Sequence, residues 1–210
     1  MTRHTLLVAV ALLAPAAAGA QSFPTLHVQA AGGWYDPIQS LPPLPGEPGS
    51  VAASLSAGPA VGVSVETPLA GPVAVRAGWL HAFTTLETGN DAEARDRSRA
   101  PVDVLVADLV LRAPALGPVR PYLLVGTGVK RYSFSSSGLT AEQAAALDEG
   151  TSATAGHLGV GVAVDAGRAM IALEAGDFTN RFGSSDGAAG AGIGERQHDL
   201  AFVAAVRVRL

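Results

Sequence analysis

The chain has 210 residues, the size of one ordinary domain, with 14 Lys and Arg against 18 Asp and Glu and a formal net charge of −4. Nothing in that balance forms the basic footprint of a nucleic-acid binder. The absence of cysteine excludes a disulfide framework and a thiolate metal site.

The chain opens "MTRHTLLVAVALLAPAAAGAQS". Arg3 and His4 give a short positive start, 6–18 is an apolar run, and Ala18-Gly19-Ala20 is a small-residue cleavage site. We read 1–20 as a signal peptide and 21–210 as the mature domain. The run is too short for a spanning anchor, and no later run of 18 apolar residues could supply a membrane helix. Yet only 15% of residues are charged, which is apolar for an exported soluble domain.

Period-two alternation then recurs in eight segments. In "TLHVQAAGGWYD", Val28, Ala30 and Trp34 oppose His27, Gln29 and Tyr35. In "SLSAGPAVGVSVET", Leu55, Val61, Val63 and Val65 oppose Ser64 and Glu66. In "PVAVRAGWLHAF", Val75, Ala77, Trp79 and Phe83 oppose Arg76. In "VLVADLVLRA", Leu105, Leu109 and Leu111 oppose Asp108 and Arg112. "VRPYLLVGTGVKRYSF" sets Leu123, Val125 and Val129 against Arg120, Tyr122 and Lys130. "GHLGVGVAVDAG" sets Leu158, Val160, Val162 and Val164 against His157 and Asp165. "RAMIALEAGDF" sets Ile171 and Leu173 against Arg168 and Glu174. The closing "LAFVAAVRVRL" sets Phe202, Val206, Val208 and Leu210 against Arg207 and Arg209. Each segment is long enough to cross a bilayer as a tilted strand.

The connections alternate between short and long. "PLAG", "APALGP" and "DAG" are tight turns, while 36–51, 87–101, 134–152 and 180–196 are long. That alternation is the pattern of an up-and-down barrel inserted from one side. The first long loop is proline-rich and predicts a stiff connection; the second is densely charged and predicts a solvated one. The third holds a short helix, with Thr140 and Gln143 as a capping box, and the fourth is glycine-rich. Trp34, Tyr35, Trp79, Phe83, Tyr132, Phe134, Phe178 and Phe182 fall near the long-loop ends and predict an aromatic girdle there. Together these features specify an all-β fold: an eight-stranded antiparallel up-and-down transmembrane β-barrel with a packed polar lumen.

Over 21–210 the chain resembles the small eight-stranded outer-membrane barrels, the OmpA/OmpX-like superfamily. The likeness is architectural and rests on no signature motif. It implies outer-membrane lipid and lipopolysaccharide as surroundings, a monomer, and a terminal strand read by the barrel assembly machinery through Phe202, Val206, Val208 and Leu210. The family prefers an aromatic last residue, where this chain has Leu210.

The lumen of such a barrel is just wide enough for side chains to fill. Arg76, Asp108, Glu174 and Arg207 fall at similar depth and predict an ion-pair network, with Glu66, Arg112 and Lys130 as further inward charges. Arg120, Asp165, Arg168 and Arg209 predict a wet rim without partners. Inward glycines such as Gly126, Gly159 and Gly161 leave room for the long cations.

The rival fold, a lipocalin-like soluble carrier, would need the sparsely charged face as its surface. An enzyme is not expected. No histidine has a serine two residues on, as the lipid A deacylase barrels have, and the first long loop lacks the histidine of the palmitoyltransferase barrels. His198-Asp199 near Ser184 and Ser185 is the best remainder, and chance proximity explains it. Asp91, Glu93 and Asp96 lack calcium-loop spacing, and no cofactor motif is present. The expected function is a non-enzymatic outer-membrane barrel, structural or loop-presenting, with a narrow pore as the alternative.

Overall fold

A computed structural model of the chain describes residues 25–38, 40–46, 49–89, 96–148, 152–181 and 196–210. The expected signal peptide, Phe182, Asp91, Glu93 and the serines at 184 and 185 lie outside these residues.

Eight antiparallel strands close a barrel: β1 (His27–Pro37), β4 (Gly58–Ala70), β5 (Val73–Ala82), β8 (Val102–Arg112), β9 (Val119–Tyr132), β10 (Ser152–Ala166), β11 (Ala169–Arg181) and β12 (Arg196–Arg209). Each pairs with its sequence neighbour in the barrel, and β12 closes the seam on β1, with His27 opposite Arg209 and Trp34 opposite Phe202. Two of the short turns are two residues long, and in each a glycine takes the left-handed conformation that L-residues avoid: Gly71 at φ 54° and Gly167 at φ 75°.

The outer face is aliphatic on every barrel strand. Val63, Leu109, Val129, Val160, Leu173 and Val206 are all exposed. A continuous belt of this kind far exceeds the apolar patches that water tolerates, and is stable in hydrocarbon. The inner face is packed. Its polar residues gather in clusters, and the same inward parity carries Val102, Val104, Val110 and Leu124, all fully buried.

The long-loop end is more built-up than its sequence predicts. The proline-rich first loop forms β2 (Leu41–Gly46) and β3 (Gly49–Leu55). The charged second loop contributes β6 (Thr85–Thr88) and β7 (Asp96–Arg99), and the four strands make a sheet in the order β2-β3-β6-β7. Prolines are tolerated in β2 because it is an edge strand with a bulged register. The sheet is continuous with the barrel strands through backbone bonds such as Phe83 N to Pro59 O (2.9 Å), Ser56 N to Thr85 O (2.9 Å) and Ala100 N to Thr84 O (3.1 Å).

One expected strand is therefore two. Leu55 does not share the lipid-facing parity of Val61, Val63 and Val65: it is buried, as is Gly58 three residues on. Two buried positions three apart shift the period-two phase, so the strand breaks at Ser56 and Ala57.

The helix α1 (Ala141–Asp148) starts where the capping box places it. Thr140 N donates to Gln143 Oε1 (3.0 Å), and Gln143 N donates to Thr140 Oγ1 (3.3 Å). The helix docks on β2 through Gln143 Nε2, which donates to Pro45 O (2.9 Å), and through buried Leu147. Leu41, Leu44, Leu55, Leu86 and Leu147 thereby join one apolar cluster that runs into the barrel at Tyr35, Val102, Val104 and Tyr132.

Candidate functional site

Toward the short turns, the barrel is filled by ions. Glu66 on β4 faces its cross-strand partner Arg76, which donates from Nε (3.1 Å) and Nη2 (2.9 Å) to Oε2. The other oxygen of Glu66 takes Arg112 Nη2 and Arg207 Nη1 (3.2 Å). Glu174 on β11 accepts from Arg76 Nη1 (2.8 Å), Gln29 Nε2 (3.0 Å) and the Tyr122 hydroxyl (2.6 Å). Gln29 Oε1 in turn accepts from Arg207 Nε (3.1 Å) and Nη2 (3.0 Å). The guanidinium carbons of Arg76 and Arg207 both lie over the Tyr122 ring, at 5.4 and 5.6 Å. Glu66, Arg76 and Arg207 are each no more than 3% exposed. Charges so far from water are stable only when interlocked in this way. The ring of Tyr122 reaches Gly161 so closely that a Cβ there would overlap it.

The structure brings together Glu66, Arg76, Arg112, Glu174 and Arg207, and it separates Asp108 and Lys130 from them. Asp108 stands opposite Arg76 in register, yet its carboxylate meets His157 Nδ1 at 2.7 Å. His157 stacks on Phe178, with ring centroids 4.4 Å apart and planes within 9°. Gly126, Gly159 and Gly176 crowd against this pair, so side chains there would displace it. A small cavity of about 80 Å³ lies beside it, lined by Arg76, Asp108, His157 and Glu174 among others.

Lys130 anchors a cluster of its own toward the long loops. Its ammonium donates to Asp199 Oδ2 and to Asn180 Oδ1 (2.5 Å). Tyr35 donates its hydroxyl to the same Asp199 oxygen, and Tyr132 donates to Gln197 Oε1 (2.8 Å). Asp199 is a lumen anion that sequence alone does not single out, because it sits next to His198 and suggests a pair with it. Consecutive strand residues point to opposite faces. His198 therefore lies on the outside, where Nδ1 meets Asp177 Oδ2 at 2.8 Å. The His198-Asp199 pair is thus no dyad.

The girdle divides along the same parity. Trp34, Trp79 and Phe83 are outward, at 49%, 41% and 53% exposure. Tyr35, Tyr132 and Phe178 are not girdle residues: they are buried inside the barrel, at 0%, 1% and 5%. Their height along the barrel was legible, but at Trp34 and Tyr35 only one of two neighbours can face out. Phe134, half-buried, stacks on Tyr132 at 5.9 Å. Outside, Trp79 Nε1 donates to Asp103 Oδ1 (3.0 Å), which also meets His81 Nδ1 at 2.8 Å.

At the short-turn rim Arg120 is not alone, as expected from sequence, but is paired with Asp165 through Nε (3.0 Å) and Nη2 (2.7 Å). The outer face of β12 presents Phe202, Val206 and Val208, and Leu210 follows its end, all exposed. Among the described residues no group of three or more His, Asp or Glu is placed to hold a metal ion.

No family model matches the chain, and no curated protein matches it in sequence. Solved structures do match. Neisserial surface protein A superposes with a TM-score of 0.57 at 14% identity, covering 88% of this chain and 97% of its own. The outer membrane protein OprG from Pseudomonas aeruginosa gives 0.62 at 8% identity, covering 89% and 96%. Ail, the attachment invasion locus protein of Yersinia pestis, solved with the heparin analogue sucrose octasulfate, gives 0.50 at 12% identity, covering 90% and 100%.

The fold is that of the small outer-membrane barrels. Sequence identities this low carry the fold and not the function.

Proposed function

We propose that this chain is a non-enzymatic outer-membrane barrel, sealed by its own side chains, whose working surface is the structured long-loop end. One observation carries the reading: the apolar core of the barrel continues without a break into the loop sheet and α1. Loops that merely connect strands need no shared core. A sheet and a helix packed on the barrel mouth make a rigid platform, which suits contact with a ligand or another surface.

In this reading 1–20 directs export, the assembly machinery reads β12, and a monomeric barrel sits in outer-membrane lipid with lipopolysaccharide around the platform. The ion cluster and the apolar plug support a closed lumen over the narrow-pore alternative. Planar-bilayer recording of the refolded chain is expected to show no discrete openings. Unitary steps of reproducible size would overturn the sealed barrel. Fractionation is expected to place the protein in the outer membrane, with a gel migration that shifts on boiling.

A further inference from the structure

The short-turn mouth of the barrel holds a cavity of about 340 Å³ whose walls carry Arg112, Arg120, Arg168, Arg207 and Arg209. Five of the chain's 14 Lys and Arg thus converge on one concavity of a protein whose net charge is −4. The carboxylates that answer them are few. Asp165 on the wall takes Arg120, and Glu66 behind the wall takes Arg112 and Arg207 while also serving Arg76, with Glu174 3.9 Å from Arg207 Nη2. Among the described residues Arg168 has no side-chain partner and the Arg209 guanidinium reaches no more than Thr25 Oγ1, at 3.5 Å.

Like charges gathered in a concave wall repel one another, and the low-dielectric wall focuses their field on an incoming anion. Guanidinium forks match the oxygens of phosphate in geometry as well as charge. A single carboxylate would neutralise the charge of one arginine and leave the rest in excess; a phosphate carries more charge and more acceptor oxygens. In the outer-membrane reading this mouth opens at one end of the barrel, within reach of a lipid headgroup and of soluble anions alike. We propose that the short-turn mouth is a binding site for a phosphate group, held by Arg168 and Arg209 with Arg112 and Arg120 beside them. This goes beyond the sealed-barrel reading and does not depend on it, since conductance tests the one and binding the other.

The test uses the full chain folded in non-ionic detergent. Calorimetric titration with pyrophosphate is expected to show saturable binding that weakens as salt rises. Arg168→Gln and Arg209→Gln should each weaken it about tenfold, the scale of one lost charge-assisted bond. Arg99→Gln at the opposite end should leave it unchanged. Neither Arg168 nor Arg209 belongs to the buried cluster, and the boiling-dependent gel shift verifies that each variant is folded. In a second arm, native mass spectrometry compares retention of phosphatidylglycerol with that of a phosphate-free glycolipid. Pyrophosphate binding supports a soluble phosphate as ligand; selective retention of phosphatidylglycerol, lost in the double variant Arg168→Gln with Arg209→Gln, supports a headgroup. Absence of both, or binding that the double variant leaves unchanged, overturns the site.

Discussion

Toward the short turns the lumen is held by two carboxylates, Glu66 and Glu174, shared among Arg76, Arg112 and Arg207. Toward the long loops the same inward face carries Val102, Val104 and Tyr35 and merges with the leucines of the loop sheet. The two ends differ in what they permit. An ionic cluster is directional: Glu66 is engaged at both oxygens and Arg76, Arg112 and Arg207 each already meet a carboxylate, so a further buried charge would need a partner of its own. Apolar packing is non-directional and grows with area. The loop platform is therefore built onto the apolar end, where more side chains extend the core at no cost in unpaired charge. Lys130 and Asp199 mark the border, a single ion pair set among tyrosines and amides.

This contrast can be broken at the ionic end first. Glu66→Gln removes the charge that serves three arginines, and a loss of about 3–5 kcal/mol is expected, the scale of a broken buried pair. Urea titration in lipid vesicles, followed by tryptophan fluorescence, would reveal it as a global shift in midpoint. A loss under ~1 kcal/mol would mean that water already reaches the cluster.

At the border, Lys130→Met should cost about 3 kcal/mol by stranding Asp199, and Lys130→Met with Asp199→Leu should recover most of it. A double variant as weak as the single would show that the cluster depends on its amides and tyrosines more than on the ion pair. The smallest effect belongs to the platform. Thr140→Ala removes the cap of α1 at a cost of about 1 kcal/mol. Limited proteolysis should then cut faster near α1, while the unfolding midpoint of the barrel stays put. If that midpoint falls as well, platform and barrel unfold as one unit.

Legibility follows the same border. The face of most barrel residues is readable because period two is a local property: Val63, Leu109 and Val206 point out wherever their partners lie. Leu55 is misread because a break of two residues reverses the phase and leaves no mark in composition. The four-residue strands β6 and β7 are too short to carry a pattern, and the prolines of β2 argue against any strand until its edge position is known. Tyr35, Tyr132 and Phe178 have the height of a girdle and the wrong side, because position along the chain sets height while parity sets the face.

The amino-acid sequence by itself determined the eight strands, their order, the turns and the aliphatic belt. Each of these depends on neighbours a few residues apart. The tertiary structure alone decided which charges meet: Lys130 with Asp199, 69 residues away, Asp108 with His157, 49 away, and Arg207 with Gln29, 178 away. Closing a barrel requires a stagger between strands, and the stagger sets which inward side chains share a level. No local pattern encodes that offset, so the sequence names the charges of the lumen and the closed barrel chooses their partners.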